Sequence, residues 1–241
     1  MKNFIKKVIY LILRLSRFIE SIFDQDYLCH DVQPPKYVAH QDWEKYLLTL
    51  SNKEGFRVLE IGSRAVTGCS LAKQSFTRAE YIGFDCIEGK NVDIVGDAHR
   101  LSQYFSEDEK FDLIYSSASF EHFSMPWLVA SEMVKLLKVG GFVFVETHFS
   151  HSSHERPSNY FQFSDLGLKV LFSQELGIEC IDSGMSNSII GRFSTFADEY
   201  LRYESVPGLY CHSEFLGRKT HDVEGFSWNN PPEAKPNYPK K

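Results

Sequence analysis

An apolar run that ends in an acid and a glycine, Val58-Leu59-Glu60-Ile61-Gly62, constrains this chain more than any other feature. It reads as a strand that opens into a polar loop, Ser63-Arg64 through Gly68 and Cys69, on the way to a helix. A parallel strand ends in this way when its tip holds an adenosine-type ligand. The glycine lets the backbone come close, and the carboxylate offers acceptors.

Around this strand the pattern is regular. Residues 56–61, 79–84, 91–95 and 111–115 are apolar runs of strand length. A helix is expected to start near Ser124, with Pro126 in its first turn and Trp127, Ala130, Val134 and Leu137 on its buried face. It is expected to stop at Gly140-Gly141, and residues 142–145 then read as a strand covered on both faces. Strands that alternate with helices predict an α/β fold: a doubly wound, Rossmann-like, mostly parallel sheet with its ligands at the carboxyl ends of the strands. At 241 residues and 43% apolar content the chain can bury the core of one such domain with extensions.

The pattern divides the chain into four regions. Residues 1–23 form an amphipathic basic helix, 24–55 a linker and a leading helix (38–50), 56–204 the sheet domain and 205–241 a C-terminal extension, partly disordered. Within the domain, Ser164 reads as an N-cap, 177–181 as a strand and 192–203 as a helix. Residues 228–241 hold Pro231, Pro232, Pro236 and Pro239 and are expected to be an extended or disordered tail.

Charge is unevenly spread. The whole chain carries -6, yet residues 1–23 carry +4, from Lys2, Lys6, Lys7, Arg14 and Arg17 against Glu20. On a helical wheel Phe4, Ile5, Val8, Leu11, Ile12, Leu15, Phe18, Ile19, Ile22 and Phe23 share the opposite face. Such a helix lies in a membrane interface, or docks on the domain or a second subunit. The longest uncharged run, residues 8–13, is too short to span a bilayer, and arginines interrupt any signal-peptide core. The acidic remainder argues against nucleic acid as a partner. Five cysteines (29, 69, 86, 180, 211) without a CxxC pair read as reduced thiols in a cytoplasmic, cytosol-facing protein.

The chemistry gathers at the strand tips. Glu60 and Gly62 end the first strand. Asp85, 25 residues on, ends the second, where a carboxylate can accept from both ribose hydroxyls. Asp97-Ala98 comes after the third strand and Ser116-Ser117 after the fourth. Three acids on one rim suit a neutral or cationic adenosine ligand and suit a dinucleotide pyrophosphate poorly. Arg64 and Val66 also spoil the G-x-G-x-x-G loop of nicotinamide sites.

The segments VLEIGSRAVTGCSLA, YIGFDCIEGKNVDIVGDAHRL, KFDLIYSSASFEHF and MVKLLKVGGFVFVET resemble the class I S-adenosylmethionine-dependent methyltransferases, in particular those with the methyltransferase type 11 domain. Residues 154–181 look like the segment after the fifth strand in members associated with cell-surface polysaccharide synthesis. The resemblance implies S-adenosyl-L-methionine as cofactor. Glu60, Gly62 and Ser63 would surround its methionine end, Asp85 its ribose, and Asp97 with Ala98 its adenine, while Ser116 and Ser117 face the cleft. The resemblance departs at the loop, where Arg64 and Val66 stand in place of further glycines. It implies O-methylation of a sugar in a surface glycan or a lipid-linked precursor. A lipid or quinone-type acceptor, or a non-catalytic cofactor-binding relative, are the alternatives. It also leads one to expect an antiparallel edge strand, which the pattern past Ile181 does not locate.

A hydroxyl acceptor benefits from a base within hydrogen-bond reach. His122, beside Glu121 after the fourth strand, is the first candidate, and His148, at the end of the fifth, is the second. His148, His151 and His154 are spaced three apart, but on a loop that spacing gives no reason to converge, so no metal site is expected. The segment with Arg156, Asn159 and Tyr160 is expected to cover the acceptor pocket.

Overall fold

The computed structural model describes residues 2–66 and 72–229. Its centre is a seven-stranded sheet of order β3-β2-β1-β4-β5-β7-β6. The strands are β1 (Arg57–Ile61), β2 (Glu80–Asp85), β3 (Ile94–Val95), β4 (Phe111–Ser117), β5 (Leu137–His148), β6 (Ile178–Arg192) and β7 (Ser205–Lys219). The first five pair in parallel, whereas β7 runs antiparallel between β5 and β6. The helices are α1 (Lys2–Glu20), α2 (Trp43–Ser51), α3 (Ala72–Ser75), α4 (Pro126–Leu136) and α5 (Asp165–Leu171).

Alternation along the strands sorts side chains onto two cores. Leu59, Ile61, Ile114, Val143 and Val145 pack with α4 and α5 on one face. Val58, Leu113, Tyr115, Phe144 and Leu216 pack with Leu47 of α2 and with Phe76 on the other. Glu60, Ser117 and Glu146 are in phase with the α2 face, while Ser116 and Thr147 belong to the α4 face. This parity decides which polar groups meet at the strand tips.

Several expectations are corrected. Helix α4 stops at Leu136, before the glycine pair, and β5 begins at once. Gly140 (φ 88°) and Gly141 instead form an irregularity within β5, where a Cβ on Gly141 would press on the carbonyls of Lys138, Asp112 and Phe111. The end of α4 is held by Lys219, only 3% exposed, whose Nζ donates to the Val134 and Leu137 carbonyls at 2.8 and 3.0 Å. The helix expected over 192–203 is absent: β6 runs through Arg192, and turns fill the way to β7. Ser205–Lys219, expected to begin an extension, is an inner strand of the sheet. Ser164 caps α5, accepting from Gly167 N at 3.1 Å.

The segment read as a linker is tied down. Ser21–Tyr27 forms a 3-10 helix, and the Asp182 carboxylate of β6 accepts from the backbone N–H groups of Lys36, Tyr37 and Val38 at 3.1, 2.7 and 3.2 Å. At the other end, Trp228 Nε1 donates to Ser131 Oγ at 2.8 Å, so the chain is packed on α4 where the tail was expected to begin. Residues 230–241 lie outside the described residues, as do Gly68 and Cys69 of the opening loop. The described cysteines are free thiols.

Helix α1 is not docked on the domain. Phe4, Leu11 and Phe18 are 72%, 68% and 68% exposed, and its other large apolar side chains are exposed as well. Among the described residues no helix is long and apolar enough to cross a membrane.

Candidate active site

The carboxyl ends of β1, β2 and β4 form the rim on which the expected cofactor residues lie. Gly62 has φ 81°, the left-handed region where glycine is at ease, and a Cβ there would overlap Ser119 Oγ. Its N–H and that of Ser63 both donate to the Phe84 carbonyl, at 2.9 and 3.2 Å, which folds the loop over the tip of β2. Ser63 Oγ enters the space left by Gly83 and is buried without a hydrogen-bond partner. Ser116 Oγ is likewise buried without one.

Asp85 accepts from Arg64 N at 3.1 Å and from Ile87 N at 2.9 Å, and Arg64 Nε lies 3.8 Å from its Oδ1. The stem of Arg64 rests on Gly89, where a Cβ would meet its Cγ at 2.7 Å. Asp97 caps the 3-10 helix Ala98–Tyr104 and accepts from the backbone N–H of His99 and, at 2.7 Å, from its Nδ1. The His99 hydrogen bond is the main cause holding this carboxyl below its usual range. His99 Nε2 in turn accepts from Met125 N at 3.3 Å, which fixes the ring. His99 is a positioning residue that the sequence did not flag.

Glu60 and Ser117 turn away from this rim. Glu60 accepts from the hydroxyls of Tyr81 and Tyr115, and burial, only partly offset by those bonds, pushes its carboxyl up to about 7. Ser117 Oγ donates to Glu146 at 2.9 Å, and the other oxygen of Glu146 meets His40 Nδ1 at 2.8 Å. The ring of His40 stacks on that of His212 at 3.9 Å.

Beside Glu146, in register across the β5–β7 ladder, sits the buried Glu214. Burial first, and then the facing Glu146 charge, raise its carboxyl to about 8, against the Ser186 hydroxyl from β6 and His40, which lower it. A raised folded-state value means that the folded chain binds more protons than the unfolded one between 4.5 and about 8. The associated stability is complete below the lower value and is lost as pH rises through the upper one. Glu214→Gln is therefore expected to raise Tm at alkaline pH and to leave it unchanged in acid. The difference, read by calorimetry, should open across that window and amount to a few kcal/mol, on the order of 10 °C.

On the α4 face the two candidate bases meet one carboxylate. His148 Nδ1 lies 2.6 Å from Glu121 Oε1, and Thr147 Oγ1 donates to Glu121 Oε2 at 2.7 Å. Burial pushes Glu121 up, but these partners win and hold it below its usual range. His122 Nδ1 donates to the Ser158 carbonyl at 2.7 Å, and its Nε2 stands 4.0 Å from Glu121 and 3.8 Å from Glu155. The segment after β5 does fold over this site. Tyr160 N and Phe161 N donate to the Glu121 carbonyl, and Phe163 N donates to that of His148. The expected divergence of the three spaced histidines does not hold, because donor atoms of His148, His151 and His154 lie within 4.8 Å of one another.

The methyltransferase domain family matches residues 36–175, more than half of the chain. The chain belongs to this family. It is an S-adenosylmethionine-dependent methyltransferase, with that sulfonium as its cofactor. No curated protein shows significant similarity to it. Among solved structures, it is similar to a protein of Bacillus halodurans C-125 described as a methyltransferase (16% identity, 74% of this chain and 99% of that one, TM-score 0.52). It is also similar to a SAM dependent methyltransferase from Archaeoglobus fulgidus (17%, 73% and 90%, TM-score 0.51). A third is the plantazolicin methyltransferase BamL, solved with a triazolic desmethylPZN analog and SAH (18%, 74% and 83%, TM-score 0.50). At these identities the likeness is one of fold.

The rim fits an adenosyl cofactor. It combines a positive-φ glycine, two buried serine hydroxyls without partners, and two carboxylates at neighbouring strand ends.

Proposed function

We propose that the chain methylates a sugar hydroxyl in a surface glycan or its lipid-linked precursor, at the cytosolic face of a membrane. The observation that carries this reading is the polar histidine and glutamate face beside the tips of β4 and β5, with His122 and His148 both against Glu121. A hydroxyl must lose its proton as it attacks, and this face can take it. When bound, S-adenosylmethionine supplies an electrophilic methyl group on a good leaving group, so much of the remaining work is positioning.

Asp85 takes the ribose hydroxyls, and Asp97, steadied by His99, with the Ala98 backbone takes the adenine. Gly62, Ser63 and Ser116 approach the methionine end. Glu60 and Ser117 act from the α2 face, where they fix the ends of β1 and β4. His122 is the base: its Nδ1 is committed to Ser158, and its Nε2 stands 4.0 Å from Glu121 and 3.8 Å from Glu155. His148, tied to Glu121, holds the neighbouring wall.

Helix α1 keeps the enzyme near a lipid-linked acceptor through an exposed apolar face and a basic one. The same helix would serve a lipid or quinone acceptor, which is the second reading. Labelled cofactor supplied to a cell extract separates them: label in the glycan fraction supports the first, and label confined to free lipid overturns it. A chain beginning at Asp24 is expected to stop floating with anionic phospholipid vesicles. Unchanged flotation would remove α1 from the proposal.

A further inference from the structure

We propose that His148, His151 and His154 bind a divalent transition metal of the zinc class, with Glu121 orienting His148 and His122 flanking an open position.

The three rings are packed together, those of His148 and His151 stacked with centroids 4.1 Å apart. His154 stands edge-on to His148, His151 and His122, with centroids 5.3, 5.0 and 5.0 Å away. Donor atoms of His148, His151 and His154 lie within 4.8 Å of one another, and so do those of Glu121, His122 and His154. The two sets share His154 and are joined by the contact between His148 and Glu121, so they make one cluster. In a zinc tetrahedron with bonds of about 2.05 Å the ligand atoms stand about 3.3 Å apart, so the set must close by up to about 1.5 Å on binding.

The second observation is how each ring is prepared. A metal-binding histidine characteristically gives its other nitrogen to a carboxylate or a carbonyl, which fixes the tautomer and aims the free nitrogen. His148 Nδ1 lies 2.6 Å from Oε1 of Glu121, whose side chain is wholly buried, and neither atom makes a hydrogen bond of regular geometry. His151 and His154 both turn Nδ1 to the Ser152 carbonyl, at 3.1 and 3.0 Å. Each of the three therefore keeps Nε2 for a ligand. Solvated surface histidines have no need of three such anchors on a cluster with a buried carboxylate behind it. Imidazole donors select zinc-like ions over magnesium or calcium. Three protein ligands leave the fourth position to an oxygen ligand. A metal there lowers the pKa of a bound hydroxyl; this consequence rests on the acceptor proposed above, whereas the metal site does not.

The test uses the full, tag-free chain stripped with chelator and titrated with Co2+, read by visible absorption, then displaced by Zn2+. One Co2+ per chain, with the bands of a four- or five-coordinate ion that Zn2+ abolishes, is the expected result. His151→Ala and His154→Ala should each weaken binding at least a hundredfold at unchanged Tm, while His212→Ala, outside the ligand set, should bind as the native chain does. Glu121→Gln is expected to lose about 10- to 100-fold. No saturable binding, or binding that survives both His151→Ala and His154→Ala, overturns the proposal. Cofactor affinity, measured on the same metal-free samples, reports separately on the methyltransferase reading.

Discussion

His122→Ala is expected to slow methyl transfer by about 10²- to 10⁴-fold while leaving S-adenosylmethionine affinity unchanged. The side chain is one-fifth exposed, at the junction of the β4 tip and the covering segment, with its polar contacts to Ser158, Glu121 and Glu155. Its Nδ1 proton is committed to the Ser158 carbonyl, so Nε2 is the atom that can accept from an acceptor hydroxyl. The rate is read as label transferred from the cofactor to the acceptor fraction under single-turnover conditions, and affinity by calorimetry. His122→Asn separates chemistry from shape, because its amide can still donate to Ser158 but cannot take a proton. An equal loss in both variants, with the acidic limb of the pH–rate profile gone, marks proton transfer. Full activity in His122→Asn would reduce His122 to a wall of the pocket.

The parallel half of the fold was legible because each of its elements has a local signature. Apolar runs end at Gly62, Asp85 and Asp97, Pro126 opens α4, and Ser164 caps α5, and the structure has strands or helices at all five. Of the antiparallel half only the start of β6, at residues 178–181, was legible, because the rest of β6 and β7 carry no simple alternation. Asp182 and Ser183 face backbone of the linker and of β7, and Gly184 makes room for the Gln33 carbonyl. Those residues are explained by partners more than a hundred positions away, or across a strand pair still unassigned. The helix expected over Arg192–Tyr203 gives way to turns that carry the chain from β6 back into β7.

The site divides in the same way. Strand tips can be located by counting, but not the face each side chain takes: Glu60 accepts from Tyr81 and Tyr115, and Ser117 donates to Glu146, on the α2 face. The spacing of His148, His151 and His154 was plain in the sequence. Their convergence was not, since it depends on Ser152 accepting from two rings and on Glu121 arriving from a different loop.

Asp85→Ala is expected to weaken S-adenosylmethionine binding about a hundredfold, with a smaller effect on stability. Two hydroxyls bonded to one carboxylate contribute about 1.5 kcal/mol each at the low end for charged partners, and about 3 kcal/mol is somewhat over a factor of 100. The carboxylate already organises the tip it serves, accepting from Arg64 N and Ile87 N, so the loop loosens as well. Asp97 is half exposed and shared with His99, and Asp97→Ala should cost less, roughly tenfold. Arg64 gives the sign test. Its Nε stands 3.8 Å from Asp85 Oδ1, and in the proposed site it would compete with the ribose for that carboxylate. Arg64→Ala should therefore tighten cofactor binding by a few-fold. In Asp85→Ala, where nothing is left to compete for, the same change should have no effect. Calorimetry on the four proteins makes a double-mutant cycle. A coupling of zero, or an unaltered affinity in Asp85→Ala, would remove Asp85 from the cofactor site and leave it as the residue that merely folds the loop.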